Sequence, residues 1–137
     1  MSTPARYNHQ QQLDTICVEF SFATQGLAAG ICIGAVPVGS RIVHSHVVID
    51  TAFNSGTSDD MTVGLTPGGA EIATAANIAA RAAGYKTFDT PKTLLFTKDT
   101  QLFMKWAPVG AAATAGKGFL YLGFVTASDV GGFYPPQ

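Results

Sequence analysis

The sequence predicts an all-β protein: a single jelly-roll-like β-sandwich of about eight strands, with one short Ala-rich helix and extended arms at both ends. Three observations lead there. Short runs rich in β-branched and aromatic residues recur along the chain, separated by Gly-, Pro-, Asn- and Asp-containing turns. Only one stretch has helical spacing, so the alternating helix and strand units of a parallel sheet are missing. The chain has 137 residues, enough for one domain with a real core. The expected divisions are an arm over 1–13, a sandwich domain over 14–128 and a tail over 129–137.

The first strand is expected at Ile16-Cys17-Val18-Glu19-Phe20-Ser21-Phe22, where Ile16, Val18, Phe20 and Phe22 alternate onto one buried face. Ile31 to Val36 is a second strand, ended by Pro37 and Gly39. Arg41 to Asp50 is a longer third, with Val43, Val47 and Ile49 on its buried face. Asn54 to Asp60 is a polar loop, and Met61 to Leu65 returns from it, which suggests a hairpin. Thr66-Pro67-Gly68-Gly69 is a turn. Glu71 to Ala83 is the helix, with Ile72, Ala75, Ala76, Ala79 and Ala83 on one side and Gly84 as its C-cap. Strands follow at Tyr85–Phe88, Thr93–Thr97 and Thr100–Ala107, with Lys98-Asp99 as a tight turn; Leu102, Met104 and Trp106 share a face of the last. Phe119 to Ala127 is apolar on both faces and therefore central.

Charged residues make up only 12% of the chain, about half the usual ~25%. Interface cores are depleted in charge in this way, so part of the surface is expected to face partners. The net charge is −1 and the basic residues are scattered, which excludes the electrostatic footprint of a nucleic-acid binder. No apolar run approaches the ~20 residues of a membrane span. The polar, Gln-rich start, Met1 to Leu13, lacks the apolar stretch of a signal peptide, so synthesis in a cytoplasm is expected. Cys17 and Cys32 are then expected to be reduced, buried and without chemistry.

The chemistry-bearing motifs are few. There is no nucleophile elbow, phosphate loop or dinucleotide fingerprint, and no enzyme and no cofactor are expected. Gly68-Gly69 before the helix is turn chemistry rather than an anion site. His44 and His46 share a strand face, with Asp50 further along it, the most metal-like arrangement in the chain, although a metal needs convergence from other strands too. Asp59 and Asp60 sit among oxygen-bearing side chains, but their spacing fits a solvated hairpin tip better than a calcium loop. The residues expected to meet partners are Tyr7 and Leu13 in the N-terminal arm and Phe133, Tyr134 and Pro135 in the tail. Aromatics are favoured interface anchors, and proline-stiffened segments lose less entropy on docking.

The segment Val48-Ile49-Asp50-Thr51-Ala52-Phe53-Asn54-Ser55-Gly56-Thr57-Ser58, returning through Thr62-Val63-Gly64, resembles small virion proteins of tailed bacteriophages, as does the preceding Ile33 to Ile42. The resemblance covers about residues 30–83 and is most similar to jelly-roll head cement or decoration proteins. It implies a virion subunit on the capsid exterior that binds the major capsid protein shell, associates with itself as a dimer or trimer, and stabilises the shell by contact alone. A receptor- or carbohydrate-binding sandwich of a tail, head fibre or baseplate is the other reading. Most aromatics lie in strand runs, not at loop tips, which favours core or flat interface over sugar platforms.

Overall fold

The computed structural model describes residues 13–89 and 94–126. They form seven strands and one helix: β1 (Asp14–Ser21), β2 (Ile31–Val36), β3 (Ser40–Thr51), β4 (Ser58–Gly64), α1 (Ala75–Ile78), β5 (Gly84–Thr87), β6 (Thr100–Val109) and β7 (Lys117–Thr126). The strands build two antiparallel sheets, a four-stranded one in the order β1-β7-β3-β5 and a three-stranded one in the order β2-β6-β4. Odd-numbered strands lie in one sheet and even-numbered strands in the other, so the chain changes sheet at every connection. That wrapping is the jelly-roll pattern of two Greek keys. The eighth position, beside β4, is reduced to the single bridge Val63↔Ala73.

The expected hairpin between the third and fourth strands does not form. β3 and β4 lie in different sheets, and residues 52–57 carry the chain across. Phe53 plugs the crossing: it is buried, stacks on Phe20 at 6.1 Å and meets Trp106 edge-on at 5.2 Å. Asn54 then clamps the neighbouring loop. Its Oδ1 accepts from the Thr114 and Ala115 amides (2.9 and 3.0 Å), and its Nδ2 donates to Thr114 Oγ1 at 2.9 Å.

The core lies between the sheets. Phe20, Val47, Ile49, Leu120 and Leu122 enter from one side, and Met61, Val63, Leu102, Met104 and Trp106 from the other. β7 is central, flanked by β1 and β3, as its two apolar faces predicted. β3 departs from simple alternation. Its register against β7 shifts between Ile42 and His44 and again between Ile49 and Thr51. Ile42 and Ser45 are buried while Val43 and His44 between them are both exposed, the signature of an extra residue in a bulge. Val43, expected inside, therefore stands outside.

The helix is far shorter than Glu71–Ala83. A capping box of Thr74 and Asn77 starts it, and Ala79 in the left-handed region (φ 46°) ends it after four residues. Alanine favours helix, but this stretch offers only Ile72 and Ile78 as large core side chains, and tertiary contacts override propensity. After α1 the Ala80 carbonyl accepts from the Phe53 amide at 3.0 Å. Lys86 Nζ donates to the Ile78, Ala79 and Ala82 carbonyls, tying β5 to the helix end. Gly84 opens β5 and is not the cap. Residues 94–97 are non-regular rather than a strand; Phe96 crosses to β3, its amide donating to Ser40 O and its carbonyl accepting from Gly39.

Candidate functional site

Three surfaces hold the side chains that the sequence singled out. The first lies where the β3–β4 crossing meets the end of α1. Asp59 is buried at the start of β4. It accepts from Arg81 Nη1 (2.7 Å), the Ser55 amide (3.0 Å) and the Trp106 indole N–H (3.0 Å), and Arg81 also donates to Ser55 O at 2.7 Å. Burial alone would raise the Asp59 carboxyl. Hydrogen bonds from Trp106, the Ser55 amide and Arg81 outweigh it, and the net effect holds the group below its ordinary value. A shallow recess of about 230 Å³ lies beside it, lined by alanines of the α1 turn with Asp59, Asp60 and Arg81. The acidic loop is thus neither a solvated tip nor a calcium site at Asp59: that carboxylate is consumed by structure. Its side-chain partners Arg81 and Trp106 lie 22 and 47 residues away in sequence, so no local motif announced them.

The second surface is the outer face of the four-stranded sheet. Register places Cys17, Tyr121 and His46 side by side across β1, β7 and β3. His46 stacks on Tyr121 (4.7 Å) and His44 (5.8 Å) and meets Tyr85 at 5.2 Å. His44 lies over Gly123, where a Cβ would strike the imidazole. Partial burial, then the neighbouring His44, lowers the His46 pKa; partial burial and Cys17 raise that of Tyr121. Asp50 does not join the histidines. Four residues along a strand is about 13 Å, and among the described residues no three metal-ligating side chains come together.

Cys17 and Cys32 are both free and exposed, not buried. Alternation explains it: each sits between residues that point to the core, Ile16 and Val18 in one case, Ile31 and Ile33 in the other. Both thiols are expected to react fully with a maleimide on the folded chain, without denaturant. Protection of either until unfolding would show that it is covered.

The third surface is the end of the sandwich where β1 begins and β7 finishes. Asp14 pairs with Phe124, and Ser40 pairs with Thr126. Leu13, a residue expected at an interface, is exposed here. Tyr7, Phe133, Tyr134 and Pro135 lie outside the described residues, as do most of both arms. At the opposite end the loops are locked to one another. Besides the Asn54 clamp, Gly56 N donates to Ala111 O, Thr57 N to Val109 O and Phe22 N to Gly116 O.

No protein-family model matches the chain, and no curated protein matches it. Solved structures do. A chain in the cyanophage Pam1 capsid asymmetric unit aligns with a TM-score of 0.65 at 15% identity, covering 85% of this chain and 86% of that one. The fold is shared with phage capsid chains. An acid-stable capsid structure of Helicobacter pylori bacteriophage KHP30 gives a TM-score of 0.58 at 16% identity, with 82% and 86% covered. The capsid of Ralstonia phage GP4 gives 0.55 at 18%, with 82% and 84% covered.

Proposed function

We propose that this chain is a structural subunit of a tailed-phage virion, a cement or decoration protein that binds the outer surface of the major capsid protein shell and stabilises it by subunit contacts. Copies meet one another on the shell as dimers or trimers. The observation that carries this reading is a jelly-roll match over more than four fifths of the chain to chains of phage capsid structures. The charge-poor composition supports it, because a subunit hemmed in by neighbours needs little charge on the surfaces they cover. So do the exposed Leu13, Val38, Val43, Tyr85, Leu95 and Val109 on a small sandwich whose core is already filled.

The test is sedimentation of the purified protein with phage heads that lack it. The expected results are saturable co-sedimentation and a raised temperature of head disruption. Labelling of tail or fibre instead of heads, or failure to bind heads, would overturn the reading in favour of a tail-borne module. Removing residues 2–12, or cutting after Gly132, is expected to leave the fold intact and weaken head binding. For the tail the expected loss is about 2 kcal/mol, the scale of an interface hot spot.

A further inference from the structure

We infer that the open edge of β1 is where two copies of this chain join, by antiparallel pairing of β1 with β1 of a second copy into one continuous sheet. This rests on the proposed association of copies and names its contact. β1 ends the four-stranded sheet, and among the described residues no strand pairs beyond it. One hydrogen bond fixes which of its backbone groups face outward. The Phe22 amide donates to Gly116 O at 3.1 Å, one step past the Ser21↔Lys117 pair and in the same register. Hydrogen-bonded pairs recur at every second residue of an antiparallel ladder. Ile16, Val18 and Phe20 therefore turn their N–H and C=O toward β7, and Thr15, Cys17 and Glu19 turn theirs toward the open edge. Ser21, next in that series, is satisfied locally. Its amide donates to Thr24 Oγ1 at 2.9 Å, and its carbonyl accepts from the Thr24 amide at 3.0 Å. Thr15, Cys17 and Glu19 have no such backbone partner among the described residues.

Sheet edges are ordinarily protected by bulges, prolines, lysines, short strands or a covering segment. The other three edges carry such protection. β2 has a register shift between Cys32 and Gly34, β4 is met by Ala73, and β5 has only four residues. β1 has eight residues in unbroken register, with neither Pro nor Lys. The occupant follows from self-complementarity, because a two-fold contact uses the same strand on both sides. Within β1, one register pairs all three outward residues. Thr15 lies opposite Glu19 of the second copy, Cys17 opposite its own counterpart, and Glu19 opposite Thr15. Each carboxylate meets a threonine, whereas a register centred on Glu19 would set two carboxylates face to face. The same register lays Ile16 against Val18 of the second copy, covering side chains that are only half-buried in one subunit. About six hydrogen bonds form. One strand pair falls short of the ~800 Å² per partner of a stable free complex. The contact is therefore weak in dilute solution and closes where copies are held at high local concentration, as on a shared surface.

The experiment uses the free protein, first in residue-resolved amide hydrogen exchange at micromolar and millimolar concentration. In dilute protein the Ile16, Val18 and Phe20 amides are expected to be protected and those of Thr15, Cys17 and Glu19 to exchange freely. At high concentration the second three become protected as a dimer appears in sedimentation. Cys17→Lys and Cys17→Asp, at an exposed position, then set like charges opposite each other on the two-fold axis. Each is expected to keep the wild-type melting temperature and to associate at least roughly tenfold more weakly, while an equimolar mixture of the two associates at least as tightly as wild type. Protection of Thr15, Cys17 and Glu19 in dilute monomer would mean that the chain covers its own edge, and would overturn the inference. So would wild-type association of either variant alone, or a mixture no tighter than its components. Head binding is measured beside these. Pairing without head binding sinks the cement reading alone, and head binding without pairing sinks the inference alone.

Discussion

Asp59→Ala is expected to cost about 3 kcal/mol of folding stability, and to lower the melting temperature by about 10 °C for a domain of this size. The carboxylate is the common acceptor for the Trp106 indole, the Ser55 amide and Arg81. Without it, two buried donors lose their partner and the arginine loses its counter-charge. Arg81→Ala should cost less. The guanidinium is about half exposed and hydrates easily, whereas the Asp59 side chain is fully buried. Acid separates charge from packing. The Asp59 carboxyl is held below its ordinary value in the folded chain, so its stabilisation is complete above the unfolded value near pH 4 and is lost as pH falls through the lower folded value. Urea titrations across that window should show a steep acid limb in wild type and a flatter one in Asp59→Asn. Parallel limbs would mean that the carboxylate's charge contributes nothing.

Gly116→Val is expected to be at least as damaging, on the order of 3–5 kcal/mol, from two independent sources. Gly116 has φ +148°, which L side chains rarely adopt, and a Cβ there would lie 2.6 Å from the Phe53 ring. Backbone strain of this kind costs about 1–3 kcal/mol, and overpacking a filled core costs a similar amount. Chemical denaturation of Gly116→Ala with and without Phe53→Leu checks the division. A smaller residue at 53 should relieve the steric part and leave the backbone part, so the two changes together cost less than their sum. Strict additivity would show that the Phe53 contact is not where the penalty arises.

How much of this was legible depended on whether the deciding contact was local. The alternation of Leu102, Met104 and Trp106 placed β6, and the two apolar faces of β7 placed it in the middle of a sheet. The same alternation put Cys17 and Cys32 outside. Residue type argued for burial there and was the weaker guide, because strand geometry allows no exception without a bulge. Bulges themselves left no mark: nothing in Ile42-Val43-His44 shows that two successive side chains face solvent. The β3–β4 connection resembled a hairpin because its turn residues are the same ones that carry a chain between sheets. Asp59 looked like a loop-tip residue because Arg81 and Trp106, which decide its role, arrive from elsewhere in the chain. The start of α1 is a local capping box of Thr74 and Asn77, but what holds its far end, Lys86 and Phe53, comes from other elements, and alanine content could not reveal it.

The placement of β7 bears on how the chain is born. Among the described residues β7 is the last strand in chain order, yet it lies between β1 and β3 and supplies hydrogen bonds to both. Until it emerges, the four-stranded sheet has no middle, and the two strands it separates expose long unpaired edges. Pairing Asp14 with Phe124 closes a loop of nearly the whole domain, a slow, non-local step. Nascent chains of this protein therefore remain open until β7 emerges, and truncation anywhere before β7 yields an aggregation-prone fragment rather than a smaller domain. Only a chain whose last described strand has emerged can close its four-stranded sheet and finish its surface.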